Sequence, residues 1–122
     1  MAANVLDRFE FRSVRANEAE EVAEIEKICF PPHEVCSKKD MFERVEHAPE
    51  LFLVAVDKET GTIAGFLNGL ATDEEAFRDE FFTDITVHNP EGKNIFLLGL
   101  DVRPEYRRQG LAREIMNQYV KR

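Results

Sequence analysis

The chain has 122 residues, 43% of them hydrophobic and 10% aromatic, with ten Phe and no Trp. This supports one packed domain and excludes a disordered chain, and no apolar run approaches the roughly 20 residues of a membrane span. A formal net charge of −8 argues against nucleic acid, which needs a basic face, and suits a cationic or amine ligand.

The first element expected is a half-buried strand, because Phe9-Glu10-Phe11-Arg12-Ser13-Val14 alternates apolar and polar. Asn17 reads as the N-cap of a helix, with Glu20 three residues on, and Ala19, Val22, Ala23, Ile25, Glu26, Cys29 and Phe30 keep helical spacing until Pro31-Pro32 stops it. Pro31 to Cys36 is a loop. Ser37 caps a second helix with Met41, Phe42, Val45 and Ala48 on one stripe, ended by Pro49.

Leu51 to Val56 is an apolar run of strand length, Asp57-Lys58-Glu59-Thr60-Gly61 is a tight-turn sequence, and Thr62 to Leu70 returns as the second arm of a hairpin. Asp73 to Phe82 reads as a short acidic helix, and residues 83–93 as a turn-rich connection with strand character at Ile85 to Val87. Asn94 to Val102 is a central strand, and Gly110 to Arg122 is an amphipathic helix carrying Leu111, Ile115, Tyr119 and Val120. The order is that of one mixed α/β (α+β) domain over residues 1–122, without repeats or a linker.

Cys29 and Cys36 are too few for a disulfide framework, and His33, His47 and His88 are scattered, so free thiols and no metal are expected. Met1 to Asp7 carries no secretory signal, so the expected location is cytoplasmic. Most of the negative charge precedes residue 90, whereas Arg103, Arg107, Arg108, Arg113, Lys121 and Arg122 make the C-terminal end locally positive. An anionic ligand is expected there.

The segment from Leu100 to Ala112 sharpens this. A strand ends at Val102, Pro104 prevents its continuation, a basic turn follows, and Gly110 with the small Ala112 opens a helix. The first amides of a helix lack internal partners and sit at the positive end of its dipole, so such a junction suits a pyrophosphate. Glycine at 110 lets a ligand approach the backbone.

Arg107-Arg108-Gln109-Gly110-Leu111-Ala112 resembles the Arg/Gln-x-x-Gly-x-Gly/Ala signature of the GNAT acetyltransferase superfamily, and Leu100-Asp101-Val102-Arg103-Pro104-Glu105-Tyr106 is similar to that family's strand-to-turn lead-in. A weaker resemblance, to serotonin (arylalkylamine) N-acetyltransferase-like members, is carried by Glu26 to Pro32, by Ala48 to Leu51 and by Asp73-Glu74-Glu75. The resemblance implies a mostly antiparallel sheet flanked by helices, acetyl-CoA as co-substrate, and acetyl transfer to a small primary amine by direct attack in a ternary complex. It implies that Leu100, Asp101 and Val102 hold the pantetheine arm as an added strand. It further implies that Arg107, Arg108, Gln109, Gly110, Leu111, Ala112 and Arg113 hold the pyrophosphate.

The sequence departs from that pattern in two places. The positions of the two relay histidines of the arylalkylamine enzymes are occupied by Phe96 and Leu98, which accept no proton. Candidate bases are Glu26, His33 and Asp101, each with a plain alternative: solvated surface for the first two, a strand-end backbone contact for Asp101. The family fold also continues past the signature helix, whereas this sequence reaches only Arg122, implying a fragment, a truncation, or a second copy or chain covering an exposed sheet edge. The loop Phe30 to Cys36 is the candidate wall of the acceptor site. Two functions remain open: an N-acetyltransferase, or a module that binds CoA or a partner without turnover.

Overall fold

Four strands pair in chain order, each antiparallel to the next: β1 (Phe9–Ser13), β2 (Phe52–Asp57), β3 (Ile63–Thr72) and β4 (Asn94–Val102). The helices are α1 (Val5–Arg8), α2 (Ala19–Cys29), α3 (Lys38–His47) and α4 (Leu111–Val120). The computed structural model describes residues 5–30, 38–72, 88–89, 91–108 and 110–120. The acidic segment 73–82, the strand character at 85–87, Ser37 and the loop 31–36 lie outside the described residues.

Two layers of helix explain why β2 and β3 are buried along their whole length instead of alternating. On one face Val22, Ile25, Met41 and Val45 from α2 and α3 pack against Phe52, Val54 and Phe66. On the other, Leu111, Ile115 and Tyr119 of α4 pack against Leu53, Ala55, Leu67 and Val102, with Phe9 joining from β1. Tyr119 is 7% exposed and its hydroxyl donates to the Leu51 carbonyl at 3.0 Å, a packing role as its helical position implied.

The hairpin and the signature strand form as expected, with Asp57 N–H bonding the Thr62 carbonyl at 2.8 Å to close the turn. The start of α2 does not. Asn17 lies in a single 3-10 turn, Ala16–Glu18, and α2 begins at Ala19. The Glu18 carboxylate accepts the Arg15 N–H at 2.9 Å and is gripped by Arg12 at 2.8 and 2.6 Å. An ion pair across six residues outweighs the Asn17 cap.

Two features of β4 prepare the site. Asn68 pairs with Gly99 but Gly69 pairs with Leu97, so Leu98 is an extra residue opposite β3, a bulge in the signature strand. Among the described residues, no strand pairs with the outer edge of β4. Ile95 and Leu97, near that edge, are 54% and 44% exposed. No helix among the described residues is long and apolar enough to cross a membrane.

Candidate functional site

The turn after β4 opens with a 3-10 turn, Pro104–Tyr106, closed by Tyr106 N–H to Arg103 C=O at 2.9 Å and Arg107 N–H to Pro104 C=O at 3.2 Å. Arg108 then takes φ 64° and Gly110 φ 81°, both left-handed. Left-handed residues set among right-handed and extended ones bring neighbouring amides to one side of the backbone, the concavity that receives an oxyanion. The helical ladder starts where Glu114 N–H meets the Gly110 carbonyl at 3.1 Å, so the amides ahead of it form the open, positive end of α4. Beside Gly110 a Cβ would meet nothing within 4 Å, so its face is clear. Gln109 lies outside the described residues.

The arginines divide their work. Arg103 donates through Nε to the Ile63 carbonyl at 2.8 Å, and Arg107 donates through Nε to the Val102 carbonyl at 3.0 Å. Both fasten the turn to the sheet. Arg108 and Arg113 are exposed. The Tyr106 hydroxyl anchors the turn from the other side, donating to Asp57 Oδ2 at 2.7 Å, a bond that holds the Asp57 carboxyl below its usual range.

Strand alternation decides which backbone groups face outward. Arg103 N–H bonds the Ala64 carbonyl at 2.8 Å, and Gly65 stands opposite Val102 and Phe66 opposite Asp101. Asp101 therefore turns its backbone groups toward β3, while those of Leu100 and Val102 point to the free edge. The Val102 carbonyl already accepts from Cys29 Sγ at 3.3 Å and from Arg107 Nε at 3.0 Å. Of Leu100, Asp101 and Val102, the backbone groups at the free edge are those of Leu100 and the Val102 amide.

The Asp101 side chain sits in a polar island under α2 and α3. Asp101 is 1% exposed, Asn68 1%, Arg44 4% and Glu26 6%. Arg44 Nη1 donates to Asn68 Oδ1 at 3.1 Å, and Asn68 Nδ2 donates to the Gly99 carbonyl at 3.4 Å. Neither oxygen of Asp101 has a donor among the described residues. Its neighbour Glu26 is another carboxyl, and two carboxylates offer only acceptors, so they bond only when one holds a proton. Burial first, then Glu26, push Asp101 up to about 9, against the weaker pull of Arg44 and Arg107. Burial and the Asp101 charge likewise push the Cys29 thiol up.

Glu26 is thus not a solvated residue. It follows Val22 and Ile25 on the face of α2 that covers the sheet. His33 lies outside the described residues. Leu98, at one former histidine position, is half-buried at the bulge. Sequence reasoning missed Arg44 and Asn68. The signals were there: Arg44 sits three residues after Met41 and four before Ala48 on the apolar stripe of α3, and Asn68 interrupts an otherwise apolar strand core. Among the described residues, no group of three or more His, Cys, Asp or Glu side chains is placed to hold a metal ion.

Residues 19–122 match the family model of the acetyltransferase (GNAT) family. The probable hydrolase YhcX of Bacillus subtilis is 28% identical over 121 residues, a match covering 90% of this chain and 23% of that protein. The loading GNATL domain of CurA from Lyngbya majuscula superposes with a TM-score of 0.82 at 14% identity, covering 93% of this chain and 57% of that one. The GphF GNAT-like decarboxylase in complex with isobutyryl-CoA gives 0.80 at 21% identity, covering 92% and 57%. The chain spans a little over half the length of these two structures and about a quarter of the Bacillus protein.

Proposed function

The chain belongs to the acetyltransferase (GNAT) family, and from that premise we propose that it binds acetyl-CoA and transfers the acetyl group to a primary amine by direct attack in a ternary complex. The observation that carries this is the turn around Arg108 and Gly110, where two left-handed residues lead into the start of α4 and the face of Gly110 is clear. The amides there would hold the pyrophosphate, and Leu100 with the Val102 amide would hold the pantetheine arm along the free edge of β4. Acetyl-CoA supplies an acyl thioester. Arg107 serves by fixing the turn, through Val102. A second copy of the chain, or another chain, along the exposed edge near Ile95 and Leu97 belongs to the same reading.

The arylalkylamine-like refinement is left without its relay, since Leu98 and Phe96 carry no proton. That same observation favours a second reading, a module that binds CoA without turnover. Titration with acetyl-CoA followed by thiol release over a panel of amines separates them. Binding with amine-dependent release supports transfer, binding without release supports the module, and no binding removes both. Carbon dioxide release from a carboxyacyl-CoA, with no response to amines, would move the chain toward the chemistry of its decarboxylase relative.

A further inference from the structure

Three observations meet on the α2–α3 side of β4. Asp101 is 1% exposed, and neither of its carboxylate oxygens has a donor among the described residues. Glu26, 6% exposed in the last turns of α2, is the like-charged neighbour beside it. Gly99, the preceding residue on the same face of β4, lacks a side chain where a Cβ would stand 3.6 Å from Asp101 Oδ1 and 3.6 Å from Asn68 Nδ2. Those are ordinary contacts, and positive φ among the glycines is confined to Gly61 and Gly110, so neither packing nor backbone demands glycine at 99. Among the described residues, Gly99 leaves the face of β4 next to a buried acceptor without a side chain.

We propose that Glu26 and Asp101 act as one proton acceptor for the ammonium group of the acyl acceptor, which docks on the half-buried face at Gly99 beside them. This rests on the acyl-transfer reading and gives it the base that Leu98 and Phe96 cannot supply.

The charged and titratable groups facing Asp101 are Glu26 and Cys29 from α2, Arg44 from α3 and Arg107 from the turn, with Asn68 the polar neighbour on β3. In the resting state Asp101 holds its proton, because a second buried negative charge beside Glu26 is costly and Arg44 offsets only one. An arriving ammonium group brings the positive charge that offsets the second, and the Asp101 proton passes to solvent. The pair then takes one proton from the nitrogen. Burial and Glu26 raise Asp101 to about 9, which narrows the gap to the alkylammonium range of roughly 10. The freed lone pair forms the C–N bond as the thioester C–S bond breaks, and the remaining surplus proton on nitrogen goes to the departing sulfur.

The test is the pH dependence of thiol release with one alkylamine, butylamine, with acetyl-CoA affinity measured in parallel. Glu26→Gln is expected to move the rising limb of kcat/KM to lower pH, because a like charge holding the proton on Asp101 is gone. Asp101→Asn is expected to lower kcat at least about tenfold, and Gly99→Ala to raise the KM for butylamine at least about fivefold with kcat held, all with acetyl-CoA affinity unchanged. A carbon-13 titration of the Asp carboxyls supplies a readout without turnover: one carboxyl titrating far above the ordinary range, missing in Asp101→Asn, and lowered by Glu26→Gln and by saturating butylamine. An unmoved limb in Glu26→Gln, wild-type kcat in Asp101→Asn, or a carboxyl indifferent to butylamine overturns the proposal. Failure of the wild-type chain to bind acetyl-CoA overturns the acyl-transfer reading instead.

Discussion

The hydroxyl of Tyr106 donates to Asp57 Oδ2 at 2.7 Å, tying the turn after β4 to the hairpin between β2 and β3. Asp57 also receives the Glu59 N–H at 2.9 Å, and its carbonyl takes the Gly61 N–H at 2.8 Å. One residue therefore sets the shape of one turn and the position of another. Tyr106→Phe is expected to lower stability by about 1 kcal/mol at neutral pH. The sign with pH follows from the depressed carboxyl: its contribution is present above the ordinary Asp value and is lost as pH falls through the lower folded value. The difference in denaturant midpoint between wild type and variant should therefore shrink in acid.

At Arg108, a φ of 64° costs a side-chain-bearing residue about 1 kcal/mol, which glycine does not incur. Arg108→Gly is expected to leave stability equal or up to about 1 kcal/mol higher, with acetyl-CoA affinity falling less than about fivefold, since the amide and not the charge faces the ligand. Gly110→Val, at φ 81° on a clear face, should do the opposite: lose about 1 to 2 kcal/mol and weaken acetyl-CoA at least about tenfold. Thermal melts and calorimetric titration of the pair give both readouts.

Arg44 is 4% exposed and holds Asn68 at 3.1 Å. Arg44→Met removes the positive charge from an island that contains Glu26 and Asp101, and should cost about 3 kcal/mol. Adding Glu26→Gln removes one uncompensated negative charge. The double variant is expected to recover part of that loss, which a double-mutant cycle on denaturant midpoints would register.

Asp101 also makes stability depend on pH. Its folded value is raised, so stability is full while both folded and unfolded carboxyls are protonated, and declines as pH climbs from the unfolded value to the folded value of about 9. Asp101→Asn abolishes this decline. Relative to wild type, the variant should gain more than about 1.4 kcal/mol, the equivalent of one pKa unit, between about pH 4 and about pH 8.

His88 reaches β3 from the connection. Its Nδ1 accepts the Ala71 N–H at 3.0 Å while Nε2 lies 2.7 Å from Glu50 Oε1, so neutral His88 carries its hydrogen on Nε2. His88→Phe leaves the Ala71 amide without that acceptor, and hydrogen exchange at Ala71 should speed at least about tenfold for a cost of about 1 to 2 kcal/mol.

Periodicity and punctuation made the frame legible. The bounds of β4 follow from its apolar run and from Pro104, and the hairpin from its breakers and turn residues. Charge placement was harder to read. Glu26 looks solvated in a helix with four glutamates, yet it lies four residues after Val22 and three before Cys29, on the buried face. Only the fold reveals that β4 brings Asp101 beneath it. The cap at Asn17 failed for a similar reason, because Arg12 selects Glu18 from another element. Backbone handedness at Arg108 is not written in its side chain at all.

The extra residue at Leu98 lies in the middle of β4, and the left-handed turn at Arg108 follows the strand's end at Val102. From Leu98 to Val102 are four strand rises, about 13 Å, and this interval cannot stretch while β3 holds its ladder. Beyond it, the Val102 carbonyl is already taken by Cys29 and Arg107, which stops an extended ligand from sliding past that point. The strand is a fixed gauge: on the proposed reading, a carrier with its phosphates in the turn would present its far end beside Leu98, whereas a compact donor such as acetyl phosphate would be too short to reach both.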